Sequence, residues 1–203
     1  MIHVRPYTVE DYESLLAIQK EAFPPPFPEE LWWSKDQIKA HVDTFPEGAL
    51  IAEVDGQPAG SATGLIVKWT GRPHTWEDAA GGGYITAHDP DGDTLYGIDV
   101  CVSPRFRGRG VAGALYEARK KLVADLGLTR FVAGCRIPGY HEHAGFMTPE
   151  EYMEEVASGR LKDLVLSFAM KNGMTPLQVI RDYLDDEESH NCAVMVEWQR
   201  ETD

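Results

Sequence analysis

Between positions 105 and 121 stand Arg105, Arg107, Arg109, Arg119, Lys120 and Lys121 against a single Glu117, in a chain of 203 residues whose formal charge is −14. The first three cations interleave with glycines in the run Arg107-Gly108-Arg109-Gly110-Val111-Ala112. Glycine lets a backbone turn its N–H groups toward a ligand with no Cβ in the way. Immediately afterwards Val111, Leu115, Ala118, Leu122 and Leu126 recur at helical spacing, and a helix N-terminus adds about half a positive charge at that point. Such a loop suits a pyrophosphate. The competing reading of the cations is a solvated helix face, the usual fate of a charge run.

Two nucleotide chemistries compete for the loop. Gly108-Arg-Gly110-Val-Ala-Gly113 satisfies the dinucleotide pattern G-x-G-x-x-G. That site wants its first glycine directly after a strand, and here Ser103 to Arg107 intervene. It also wants an acidic residue closing the next strand to hold a ribose, where this chain has Ala133, Gly134, Cys135 and Arg136. An NADP-binding domain survives only if Arg136 meets a 2′-phosphate. No lysine and hydroxyl pair follows the second glycine, which excludes a P-loop.

The elements that must position this loop can be read along the chain. Ile2 to Tyr7 reads as a strand, and Thr8 caps a helix carrying Tyr12, Leu15, Leu16 and Phe23 that Pro24-Pro25-Pro26 ends. A second helix is expected over about Glu29 to Phe45, with Leu31, Trp32, Ile38 and Val42 on one face. Ala49–Val54, the turn Asp55-Gly56 and Pro58–Trp69 read as a hairpin. Gly71 to Asp93 is a long loop rich in Gly, Pro, Asp and His. Thr94–Val102 is a strand leading into the Arg/Gly loop, the following helix stops at Gly127, and Thr129–Cys135 is the next strand. An insertion at about 137–162 has its own helix, with Thr148 as N-cap, Pro149 first and Glu151 completing a capping box. A helix over Leu164–Asn172 and strands over Pro176–Tyr183 and Asn191–Trp198 close a single domain spanning 1–203.

Composition bounds the function. Hydrophobic residues are 43% and charged residues 26%, the balance of a globular chain. The strong negative charge argues against nucleic-acid binding, and no apolar run is long enough for a membrane span. Cys101, Cys135 and Cys192 are scattered without paired spacing, which fits a reducing cytoplasm rather than a disulfide framework or a zinc site.

The run Val102-x-Pro104-x-x-Arg107-Gly108-x-Gly110-x-Ala112 resembles the R/Q-x-x-G-x-G/A motif of the GNAT superfamily of N-acetyltransferases. It stands where that family has it, after the fourth strand and opening the third helix, and the element order is similar from Ile2 to Trp198. Phe168–Met174 followed by Pro176–Tyr183 also resembles the late helix–glycine–strand signature, and Arg136-Ile137-Pro138-Gly139-Tyr140-His141 resembles a bacterial branch that also occurs fused to nitrilase-like domains. The resemblance implies an α/β fold: a mixed, mostly antiparallel twisted sheet flanked by helices, with a splayed strand pair holding acetyl-CoA.

It further implies roles. Backbone N–H groups of Arg107, Gly108, Arg109, Gly110, Val111 and Ala112 would bind the pyrophosphate of acetyl-CoA, and the strand edge at Cys101 and Val102 would pair with the pantetheine arm. The Val102 N–H would polarise the thioester carbonyl, and an amine of a small molecule or peptide would attack it directly in a ternary complex. An alkyl amine, with a pKa of about 10.4, arrives charged and needs a base. Asp99, three residues before Val102, is the candidate; its alternative is a structural pairing with an arginine. Relatives commonly place a proton-donating tyrosine on the fourth helix where this chain has Ala169. Tyr140 is taken as the substitute donor, with Tyr183, the Cys135 thiol or unaided departure of the thiolate to solvent as alternatives. The vacancy keeps open a noncatalytic CoA-binding module, and since relatives are often dimers a homodimer is open too.

Other reactive types carry less. His141 and His143 alternate around Glu142 with no third ligand evident, so no metal is expected. Trp32-Trp33 reads as packing, and Cys101 has no histidine partner in its strand, so it reads as filler rather than nucleophile. Gly71–Asp93, the first two helices and the insertion are expected to shape the acceptor pocket.

Overall fold

The computed structural model describes residues 1–201. Seven strands form one sheet: β1 Ile2–Pro6, β2 Ala49–Val54, β3 Gln57–Val67, β4 Thr94–Val102, β5 Arg130–Arg136, β6 Thr175–Ile180 and β7 Ala193–Gln199, in the order β1-β2-β3-β4-β5-β7-β6. Every neighbouring pair is antiparallel except β4 and β5. Helices α1 Tyr12–Ala22, α2 Lys35–Thr44, α3 Trp76–Ala80, α4 Val111–Asp125, α5 Pro149–Ala157 and α6 Leu166–Lys171 flank it. This is the mixed, mostly antiparallel α/β sheet that the element order implies. Alternation along β2 sends Ile51 into the large core and Leu50 and Ala52 into a smaller cluster with Phe106, Val111 and Leu115.

Two elements depart from the sequence reading. The helix expected over Glu29–Phe45 is two pieces: a 3-10 turn at Glu29–Leu31, then α2. Ser34 restarts the helix through a capping box in which its Oγ accepts from Gln37 N at 3.2 Å while its own N–H donates to Gln37 Oε1 at 2.8 Å. The extended residues between let Trp33 turn into the core, where it is 2% exposed. The loop after Gly71 likewise holds a helix, α3, started by the same reciprocal bonds between Thr75 and Asp78. In both places a local cap, invisible to apolar periodicity, sets the boundary. The capping box of Thr148 and Glu151 does begin α5 as expected.

The strands β4 and β5 pair only from Thr94↔Arg130 to Gly97↔Ala133. Beyond that point β4 stays with β3 through Cys101↔Ser61 and Val102↔Gly60, while β5 stays with β7 through Gly134↔Met195 and Arg136↔Ala193. A bulge marks the parting: Gly97 faces Gly64 and Asp99 faces Thr63, so Ile98 is an extra residue that bends β4 away.

Arg119 lies beneath the fork. The sequence groups it with the ligand-binding cations, but it is 2% exposed, because its helical position falls on the inward face with Leu115 and Tyr116. Its guanidinium donates to Thr63 O at 2.8 Å and to Asp99 O, and stacks 5.2 Å from the Phe131 ring centre. Arg119→Met would orphan both carbonyls, each at a cost of about 1–3 kcal/mol. We expect it to lower the urea midpoint by a corresponding several kcal/mol of stability, with no change in secondary structure by circular dichroism at low denaturant.

Candidate functional site

The Arg/Gly loop is anchored at its base and open at its tip. Ser103 Oγ donates to Glu21 Oε2 at 2.5 Å, and Arg105 pairs with Glu21 at 3.2 Å, tying the base to α1. Phe106 buries in the small core beside Val111. Gly108 and Gly110 then take φ of +74° and +87°, which other residues adopt only with strain. Gly110 precedes α4, and no side chain caps that helix, so its first N–H groups are free to meet an anion. Of the expected cationic cluster, Lys120 pairs with Glu117 and Lys121 with Asp125, and Arg119 is in the core. Arg107 and Arg109 are exposed at the loop, with no carboxylate partner among the described residues.

Behind the loop the fork opens into a cavity of about 120 Å³. One wall is Gly97 to Val100 of β4; the facing wall is Ala133 to Arg136 of β5. Ser103 N donates to Ala59 O across β3 at 2.9 Å, so strand alternation turns the Val102 N–H the other way, to the unpaired side. The free edge of β4 is therefore at Val102, whereas Cys101 turns its backbone groups to Ser61 of β3.

Asp99 is half-buried on the cavity wall. Desolvation of its carboxyl pushes the pKa up to about 7, against the opposing pull of the Arg119 charge and the Trp33 indole. The indole Nε1 is buried without a hydrogen-bond partner of normal geometry, facing that carboxyl. Trp33 therefore does more than pack, and sequence spacing gave no sign of it. Its ring stacks on Trp76 at 6.2 Å, and Trp76 Nε1 donates to Ile98 O, the bulge carbonyl, at 3.0 Å. Below Asp99, His41 Nε2 donates to the Gly83 carbonyl at 2.6 Å, so its Nδ1 accepts from Tyr7 Oη and Tyr7 accepts from Thr63 Oγ1, both at 2.8 Å. Burial holds His41 down at about 4, which keeps this chain neutral.

Cys101 has its thiol pushed well up by burial and meets only Ser61 Oγ at 3.4 Å and Asp99 Oδ2 at 4.0 Å, a poor setting for a nucleophile. Tyr140 is corrected: its hydroxyl donates to Met147 O at 2.8 Å within the insertion, and it does not line the cavity. Ala169 is fully buried in α6. Arg136, the residue left to hold a 2′-phosphate, is gripped by Asp186 at 2.7 and 2.8 Å and Glu188 at 3.0 Å. His141 and His143 set their Nδ1 atoms against the Pro138 and Gly139 carbonyls, and no group of three metal-ligating side chains occurs among the described residues. The first two helices and the loop after Gly71 do line the cavity, through Phe23, Trp33 and Trp76 among others, but the insertion does not. A second recess shares Leu31, Trp76, Tyr183 and Leu184 with it and adds Glu30, Glu77, Asp182 and Asp185.

Residues 12–146 match the model of the Acetyltransferase (GNAT) family. The chain belongs to this family. It is 44% identical over 198 residues to the uncharacterized N-acetyltransferase YkwB of Bacillus subtilis (strain 168), covering 97% of this chain and 88% of that one. It is 38% identical to the probable hydrolase YhcX of the same organism, covering 96% of this chain but 38% of that longer protein. Among solved structures, the GphF GNAT-like decarboxylase in complex with isobutyryl-CoA superposes with a TM-score of 0.77 at 20% identity, covering 97% of this chain and 98% of that one. No helix among the described residues is long and apolar enough to cross a membrane.

The raised Asp99 pKa fixes a sign for stability. Between the unfolded carboxyl value near 4 and the folded value of about 7, the folded chain binds more protons than the unfolded one, so stability falls as pH rises through that window. Asp99→Asn should remove this slope. Urea midpoints at pH 5 and pH 8 check it: an unchanged difference between the two in the variant would mean Asp99 is not the group responsible.

Proposed function

We propose that this GNAT-family chain is an acetyl-CoA-dependent N-acetyltransferase acting on an amine of a small molecule or peptide. The observation that carries the reading is the cavity in the β4/β5 fork, where Asp99 and the outward Val102 N–H share one strand directly behind an uncapped helix N-terminus. In this reading the N–H groups from Arg107 to Ala112 hold the pyrophosphate, with Arg107 and Arg109 adding charge. The free edge at Val102 pairs with the pantetheine arm, and the Val102 N–H stabilises the developing oxyanion. Asp99 takes a proton from the ammonium and passes it to solvent, the freed amine nitrogen bonds to the carbonyl carbon and gives its second proton to the same carboxylate, and the carbon–sulfur bond then breaks. A base titrating near 7 is well matched to that task at neutral pH. The recess bearing Glu30, Glu77, Asp182 and Asp185 supports a cationic acceptor by attraction.

A noncatalytic CoA-binding module is the second reading, favoured by Ala169 standing where relatives carry a proton donor. Incubation with acetyl-CoA and a library of amines, detecting free thiol, separates the two. Thiol release with cationic amines is expected; acetyl-CoA binding without release from any amine supports the module instead. Two variants sharpen the first outcome. Asp99→Asn should lower kcat by about 10²-fold or more and abolish the rise in rate with pH through about 7. Arg107→Ala should raise the KM for acetyl-CoA roughly tenfold, the worth of a charged hydrogen bond, with kcat little changed.

A further inference from the structure

The transferase reading leaves the departing thiolate without a proton source, because Ala169 is apolar and Tyr140 is engaged inside the insertion. Another tyrosine reaches the fork. Tyr183, on the loop between β6 and β7, lines the cavity with Asp99. Its ring lies against Gly134, the first residue of β5 beyond the parting, where an added Cβ would stand 2.5 Å from the phenol Cζ and Oη. Glycine at that position lets the phenol seat directly on the strand backbone. The loop is held there, since Trp76 N donates to Tyr183 O at 2.7 Å.

Tyr183 also begins a continuous chain of hydrogen bonds that leads away from the cavity. Its hydroxyl is 2.7 Å from Tyr96 Oη, and Tyr96 Oη is 2.6 Å from His74 Nε2. His74 Nδ1 lies 2.8 Å from the Arg72 carbonyl, which can only accept, so Nδ1 keeps its hydrogen. Nε2 is then the nitrogen that changes state. When it is bare, Tyr96 donates to it and Tyr183 donates to Tyr96. When it is protonated, every bond reverses, and the Tyr183 hydrogen is freed to point into the cavity. The two tyrosines are buried while His74 is partly exposed, so the chain joins the cavity to solvent. Cys135, the other candidate, forms no hydrogen bond through which it could be reloaded.

We propose that Tyr183 protonates the coenzyme A thiolate as it leaves, and that Tyr96 and His74 reload it from solvent. The proposal rests on the transferase reading above. As the carbon–sulfur bond breaks, the sulfur takes the Tyr183 proton, Tyr183 takes that of Tyr96, and Tyr96 takes that of the imidazolium Nε2. His74 recovers a proton from solvent, while an acceptor that arrives as an ammonium gives up two protons by way of Asp99, one before attack and one from the adduct, so each turnover releases one proton net. Burial raises both phenols above their ordinary value, and the concerted shift avoids a free tyrosinate. Tyr183 meets the reacting sulfur; Tyr96 and His74 act through it and are positioning residues.

The test compares wild type with Tyr183→Phe, which keeps the ring, and with His74→Gln, using acetyl-CoA and its selenium analogue. A selenolate departs without needing a proton. With acetyl-CoA, Tyr183→Phe should lower kcat by about 10²-fold and His74→Gln by a smaller factor, with the KM for acetyl-CoA unchanged. With the selenium analogue the Tyr183→Phe loss should shrink to within about threefold, which a structural role would not produce. A Tyr183→Phe kcat within twofold of wild type, or an equal loss with both cosubstrates, overturns the proposal. Absence of wild-type turnover with every amine overturns the transferase reading and this one together, so the two failures are told apart.

Discussion

The structure depends on a fork that must stay open. Two neighbouring strands of one sheet gain by pairing along their whole length, yet β4 and β5 part after Gly97 and Ala133. Polar backbone groups beyond the parting need other partners, and the chain supplies them from three directions. The Arg119 guanidinium takes the Thr63 and Asp99 carbonyls from below, and the Trp76 indole takes that of Ile98. Strand β7 completes the far side of β5. What is left unpaired is the free side of β4 at Val102, the edge a thioester arm can use.

That arrangement also explains the electrostatics. A cation as buried as Arg119 would be costly in apolar surroundings. Here it faces two carbonyls, an aromatic ring and the Asp99 carboxyl nearby. The same desolvation that burdens Arg119 lifts the Asp99 pKa, and the positive charge limits that rise. One residue pair therefore links the support to the cavity: the side chain that holds the fork apart also tunes the carboxyl on its wall.

Most of the architecture was legible in the sequence because strands, glycine stops and capping boxes leave local signatures. Thr148 with Glu151, Gly127 and Asp55-Gly56 each mark a boundary within a few residues of chain. Ser34 with Gln37 carries the same signature, but the apolar positions running from Leu31 to Val42 mask it. The site was half legible. The Arg/Gly loop declares itself by composition, and the family resemblance points to Asp99 and Val102. Arg119 looks like any basic residue of a charge run until packing turns it inward. Trp33, Trp76 and Tyr183 come to the cavity from segments distant in sequence, so no spacing could join them. Tyr140 misled because it adjoins β5 in sequence while its hydroxyl turns back into the insertion.

The insertion closes partly on itself. Asp163 accepts from Tyr152 Oη at 2.8 Å and from the Gly139 N–H at 3.1 Å, Tyr140 closes on Met147, and none of its residues line the cavity. The insertion is also tied to the segment between β6 and β7, where Ser189 Oγ accepts from the Ile137 N–H at 3.0 Å and Arg181 donates to Glu150 at 2.7 Å. Ile137, Tyr140, Tyr152 and Val156 join the large core, so the insertion shares its footing with the sheet, whereas Phe146, 74% exposed on its surface, can be exchanged without disturbing that footing.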